Sequence, residues 1–199
     1  MSLPLWSAWE KVTVNALDTF LRKCNHHTAY TVDKRNFQEA IVVKAITDSL
    51  KENFDWVWGL LVQVVDVCPE AVWAKKAGGF VFWQQLYHCF SAANLILPKD
   101  GKPEPGPWGS EVAEFKAEPA TTPSKEELKA YAAKMKAQVD AWIATLDDAS
   151  LLQTHEGLSA RWGAPMNNVT AFSAMSGHPF YHIGSCDAIL RDNGEKGVM

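Results

Sequence analysis

The segment FVFWQQLYHCFSAANLIL, residues 80–97, is apolar on nearly every side of a helical wheel, with only Gln84, Gln85 and His88 interrupting it. A helix without a polar face has to be surrounded by other structure. The interrupted run is too short and too polar to cross a bilayer, so other segments of the same chain must enclose it.

Three further helical patterns are available for that purpose. From about Glu39 to Val67, Leu50, Phe54, Val57, Leu61 and Val64 recur every three or four residues until Pro69 closes the pattern. Ser124 and Glu127 form a capping box ahead of Leu128, Tyr131, Met135, Val139, Trp142 and Leu146. The last pattern runs from about Thr170 to Asn193, with Gly194 as a left-handed stop, although Pro179 predicts a kink or a restart inside it. No strand-like alternation of useful length and no internal repeat is present. The fold class expected is all-α, a four-helix bundle over 38–199, preceded by a helical extension over 1–37 marked by Trp6, Trp9, Val12, Ala16 and Phe20. Between the second and third helices lies PKDGKPEPGPWGSEVAEFKAEPATTPS, long enough to cross the bundle or serve as a lid. This predicts second and third helices running the same way, an up-down-down-up order, with Trp108 and Phe115 pinning the connection. Residues 147–168 read as irregular.

A formal net charge of -4 and scattered lysines and arginines exclude a phosphate-backbone partner, so no nucleic acid is expected. Membrane association is not expected either, since no apolar run is long enough and the opening residues MSLPLWSAWEKV lack a signal-peptide pattern. Cys24, Cys68, Cys89 and Cys186 have no paired spacing and read as free thiols in a reducing compartment, which places the protein in the cytoplasm.

The histidines carry the chemistry. His178 and His182, in GHPFYHIGSC, are four residues apart and project from one face of a helix, the spacing of two ligands on one ion. His88 in the buried helix is a third candidate, because facing helices of a bundle are where metal sites are built. Each also suits a plainer role, His88 as a core histidine bonded to a neighbouring helix and the pair as a solvated surface feature. Three neutral imidazoles would leave a coordination position open, as in a catalytic zinc site.

A histidine midway along the second helix, a long connection, and HxxYHxG leading to LRxxG together resemble the DinB superfamily, which includes YfiT-like metal proteins, over about residues 40–194. The resemblance implies a four-helix bundle holding a divalent ion on His88, His178 and His182. Where relatives often continue HxxxHRGQ, this chain has Ile183 and Ser185 in place of the arginine and glutamine. It further implies transfer of a low-molecular-weight thiol such as mycothiol, bacillithiol or glutathione to a small electrophile, with hydrolysis as the alternative chemistry.

Around the ligands, Asn53 is expected on the apolar side of the first long helix, and Gln84 and Gln85 as groups that fix a ligand's ring orientation. Tyr181 and Ser185 are expected near the pocket, and Cys186 either as a nearby thiol or as a small buried hydrophobe. His26, His27 and His155 read as exposed, and most of the nine tryptophans as core. Three histidines suit zinc or nickel, and iron or copper also. No catalytic acid or base can be named. The expected partner is a small-molecule substrate, and a homodimer is compatible with the pattern. A second class of function, a non-catalytic metal or small-ligand-binding stress-response bundle, fits the same residues; a solvent channel to the ion would separate the two.

Overall fold

The structure, a computed structural model, describes residues 44–77, 79–97 and 106–199. These fall within one compact unit, Glu39–Met199. The expected helical extension over 1–37, with Cys24, His26 and His27, lies outside the described residues.

Four long helices form the body: α1 (Ala45–Val67), α3 (Phe82–Ala92), α5 (Lys125–Ala144) and α7 (Asn168–Asp192). Short elements lie between them, namely α2 (Glu70–Trp73), a two-residue-per-strand hairpin of β1 (Lys76–Ala77) and β2 (Phe80–Val81), α4 (Ser110–Ala113) and α6 (Glu156–Trp162). The hairpin was not expected. It begins the apolar run two residues before the helix does, and its turn uses Gly79 at φ +92°, a conformation that favours glycine.

The helix ends follow their sequence signals. Ser124 Oγ accepts from Glu127 N at 3.1 Å while Glu127 returns a carboxylate to Ser124 N at 2.8 Å, closing the capping box of α5. Asn167 caps α7 by accepting from Thr170 N at 2.9 Å. Gly194, at φ +86°, ends α7 in a Schellman motif in which Glu195 N donates to Leu190 O and Gly194 N to Arg191 O, both at 3.0 Å. The first turn of α1 is capped from a distance: Asp148 accepts from Ile46 N, Thr47 N and the Thr47 hydroxyl at 3.2, 2.9 and 2.8 Å.

The polar contacts fix the helix directions. Asp148, just beyond α5, meets the start of α1, and Lys129 near the start of α5 pairs with Asp66 near the end of α1 at 2.8 Å, so these two helices are antiparallel. Trp58 of α1 packs on Phe90 late in α3, and Trp73 beyond α1 packs on Phe82 at the start of α3, so α1 and α3 are also antiparallel. Trp56 packs on Phe180 midway along α7, and Lys75 beyond α1 reaches Asn193 at the end of α7, so α1 and α7 are parallel. The order is up-down-down-up, as the long connection predicts.

As its composition requires, α3 is enclosed: Phe82, Trp83, Leu86, Tyr87, Cys89 and Phe90 are all fully buried. Trp58, Trp73 and Trp83 are core, whereas Trp56 is exposed. The connection is pinned by Trp108, which meets Trp83, Tyr87 and Tyr131 edge-on at 5.9, 5.0 and 6.0 Å. Residues 147–168 are more ordered than expected. His155 is buried rather than exposed, accepts from Leu158 N through Nδ1 at 3.2 Å as the cap of α6, and donates from Nε2 to Ile96 O at 2.6 Å. Contrary to the expected break, α7 continues without interruption through Pro179, whose ring is buried. Among the described residues no helix is long and apolar enough to cross a membrane.

Candidate metal centre

His88 projects from α3, and His178 and His182 from successive turns of α7, because the up-down-down-up order brings these two helices into contact. Their rings converge at centroid distances of 4.8 Å (His88–His178), 4.8 Å (His88–His182) and 4.9 Å (His178–His182). One nitrogen of each lies within 4.8 Å of the others, and among the described residues this is the single group of three or more His, Cys, Asp or Glu side chains arranged to hold a metal ion.

The hydrogen bonds assign the nitrogens. Ala113 O, in α4, accepts from His88 Nδ1–H at 2.6 Å, which turns the Nε2 lone pair of His88 toward the cluster, where it accepts from His178 Nε2 at 2.9 Å. His182 is buried, and its Nδ1 has no hydrogen-bond partner. A buried imidazole nitrogen without a partner is costly, and a metal ion is one of the few groups that can satisfy it here. Burial lowers the pKa of all three histidines; that of His182 falls to about 4, helped by the charges its two neighbours would carry. The cluster is therefore neutral at pH 7, the protonation state that ligation needs. The residues present fit a divalent ion.

The sequence model of the DinB superfamily matches residues 53–186, a span that touches all four long helices and includes His88, His178 and His182. The chain belongs to the DinB superfamily. Neither the curated proteins nor the solved structures gave a significant match. In this DinB-superfamily chain a cavity of about 380 Å³ opens beside the histidines, with His88 and His178 in its wall. Its sides are largely apolar, from Ala92, Leu95, Ile96, Leu158 and Met175, and Glu114 and Arg161 add charge to the lining.

The expected supporting residues divide. Gln84 is buried but does not reach a histidine ring; its Nε2 donates to Val112 O at 3.0 Å and Ala117 O at 3.1 Å. In that way it fixes the turn whose Ala113 carbonyl orients His88, so the orienting acceptor is a backbone carbonyl rather than a glutamine. Gln85 is buried, and its Nε2 has no hydrogen-bond partner. Asn53 is exposed on α1, not on its apolar side, because Phe54 and Val57 turn inward and leave position 53 to solvent. Tyr181 is 74% exposed, with its ring edge-on to His182 at 5.0 Å. Ser185 is half-buried on α7. Cys186 is fully buried and burial raises its thiol pKa, so it packs as a small hydrophobe.

Sequence reasoning marked Phe115 as an anchor of the connection but missed its place beside the histidines. It stands at φ +58°, the one non-glycine residue at positive φ among those described. Lys116 N donates to Glu111 O at 2.8 Å and Phe115 N to Val112 O at 3.2 Å, so Phe115 occupies the Schellman position of α4 that glycine normally takes. Its ring stacks on His88 at 4.5 Å and Phe80 at 4.0 Å, and approaches His182 at 5.9 Å. A left-handed phenylalanine costs about 1–2 kcal/mol of backbone energy, and what that conformation secures here is an aromatic roof over two of the three histidines. Glu114 was missed also; its charge reaches His88, raising that ring's pKa against the effect of burial.

Proposed function

We propose that this chain is a metal-dependent enzyme that transfers a low-molecular-weight thiol to a small electrophile. The observation that carries the reading is the cavity beside His88 and His178, because a reactant in it can reach the ligand nitrogens, whereas a sealed bundle would only store an ion. A divalent ion at this site supplies the positive charge that lowers the pKa of a thiol or a water in an open coordination position.

The protein's own contribution is positional. The Ala113 carbonyl holds His88 in the Nδ1–H tautomer. His182 is the deep anchor, and His178 stands on the open side of the cluster, in the cavity wall. Phe115 covers the His88 ring and shields that side from water. The apolar wall gives the electrophile a dry surface to bind. In the reaction the thiol gives up its proton to solvent, a carbon–sulfur bond forms, and the electrophile's leaving group departs.

The test begins with elemental analysis of the purified protein. It continues with monochlorobimane and a panel of mycothiol, bacillithiol and glutathione, comparing metal-loaded protein, metal-free protein and His182→Ala. Chloride-releasing conjugation that needs both the metal and His182, with one thiol preferred, is the expected result. Equal background rates in all three samples would leave a non-catalytic metal-binding bundle as the better account.

A further inference from the structure

The walls of the cavity are largely apolar, with Ser91, Asn94 and Ser110 as polar interruptions, and among the described residues the Arg161 side chain that stands in them makes no hydrogen bond. Its side chain is 43% exposed, and among the described residues its one ionic partner is Glu114, with Arg161 Nη2 3.9 Å from Glu114 Oε1. Glu114 is already engaged, since Lys116 Nζ holds its other carboxylate oxygen at 2.5 Å. The neighbouring Trp162 ring lies beneath the guanidinium at 5.9 Å and gives it a platform. Of the three charges gathered there, Glu114 and Lys116 compensate each other, which leaves one forked cation with free donors at an apolar cavity. A planar guanidinium in that state matches a carboxylate, to which it can make two parallel hydrogen bonds.

Other cavity groups define the body of the ligand. Ala92, Leu95, Leu158, Ala174 and Met175 present no hydrogen-bonding side chain, so they favour an aryl or branched alkyl group, and the imidazoles of His88 and His178 lie in the same wall. The geometry points to an amphiphilic small acid as the ligand of this cavity, an apolar body of aryl or alkyl type lying beside the histidines with its carboxylate paired to Arg161. The inference rests on the proposed enzymatic reading only in identifying this ligand with the electrophile; the binding itself does not require a metal.

Calorimetric titration of the metal-free protein keeps the two ideas separate, since a carboxylate cannot then bind the ion. The probes are 4-phenylbutyrate, 4-phenylbutan-1-ol and 4-phenylbutylamine. The acid should bind at one site, about tenfold or more tighter than the alcohol, the size of a charge-assisted pair. Arg161→Gln should bring the acid to the alcohol's affinity while leaving the alcohol within about twofold, because only the ionic contact is removed. Ala174 is exposed on α7 and lines the cavity, so Ala174→Phe should fill it and weaken acid and alcohol alike. In the unsubstituted protein, the Met175 and Leu95 methyl resonances should shift on adding the acid, which locates the site without any variant. The assignment is overturned if the amine binds tightest, if Arg161→Gln leaves the acid's affinity unchanged, or if those methyl groups do not respond. Loss of metal binding or of thiol transfer would leave this result standing, and its failure would leave the metal reading untouched.

Discussion

His178→Ala is the cleanest way to ask whether an ion ties α3 to α7. In the metal-free protein His178 makes one hydrogen bond, to His88 Nε2 at 2.9 Å, and it is more open than His182. Its removal should therefore change metal-free stability by no more than about 0.5 kcal/mol, the usual range for such a position. The ion itself contributes through mass action. At a free concentration about 100 times its dissociation constant it adds roughly 2.7 kcal/mol to the folded state. A domain of this size shifts by about 2–4 °C per kcal/mol, so zinc or nickel should raise the melting temperature of the unsubstituted protein by roughly 5–11 °C. Differential scanning calorimetry of the chelator-treated protein, with and without metal, measures both quantities. In His178→Ala the metal-free melting point should hold and most of the metal-induced rise should vanish. A full rise in the variant would show that the ion does not use His178. An unchanged melting point in the unsubstituted protein, with binding confirmed by elemental analysis, would show that the unfolded chain binds metal equally well.

Further expectations follow from individual residues. Phe115→Gly should be more stable than Phe115→Ala by about 1 kcal/mol, because both lose the ring and only glycine relieves the positive φ; chemical denaturation gives the order, and the reverse order would argue against the left-handed conformation. His155→Ala should cost about 1–2 kcal/mol, through loss of the α6 cap and of the bond to Ile96 O, without altering metal stoichiometry. In metal-free protein the unfolded chain takes up a proton at His182 near pH 6.5 while the folded one resists until about 4, so urea midpoints should be steady above about pH 6.5 and fall progressively below it; midpoints that rise on acidification through that window would contradict the burial of this ring. Asn53→Ala should leave both stability and metal affinity within error, since the residue is exposed.

Helical periodicity made the bundle legible because the four long helices bury continuous stripes, and α3 in particular has no face that tolerates water. The three histidines were legible for a related reason: their spacing on α7 and their place on α3 survive in the linear sequence. Short-range geometry was not. The hairpin at 76–81 and the helix at 156–162 are too brief for a period to register, and the role of His155 as a cap depends on a backbone turn rather than on a pattern. Phe115 could be read as an anchor of the connection, but its left-handed backbone and its stacking on His88 could not, since phenylalanine is a poor choice for that conformation and only the neighbouring rings explain it. Asn53 shows the opposite error. One position on a helical wheel separates an inward residue from an outward one, and Phe54 and Val57 claimed the inside.

The crossover between α3 and α5 sets a schedule for how the protein comes into being. His88 and His178 are 90 positions apart in the chain, so a ribosome has made three of the four long helices before the second half of the cluster exists. During that interval α3, most of whose side chains are fully buried in the finished protein, has no α7 to cover it, and the growing chain exposes a hydrophobic surface that chaperones recognise. Metal cannot guard that surface, because its ligands are not yet together. Helix burial therefore comes first and the histidine cluster is completed second, so an ion bound there would be a late addition to a folded body rather than a nucleus around which folding is organised.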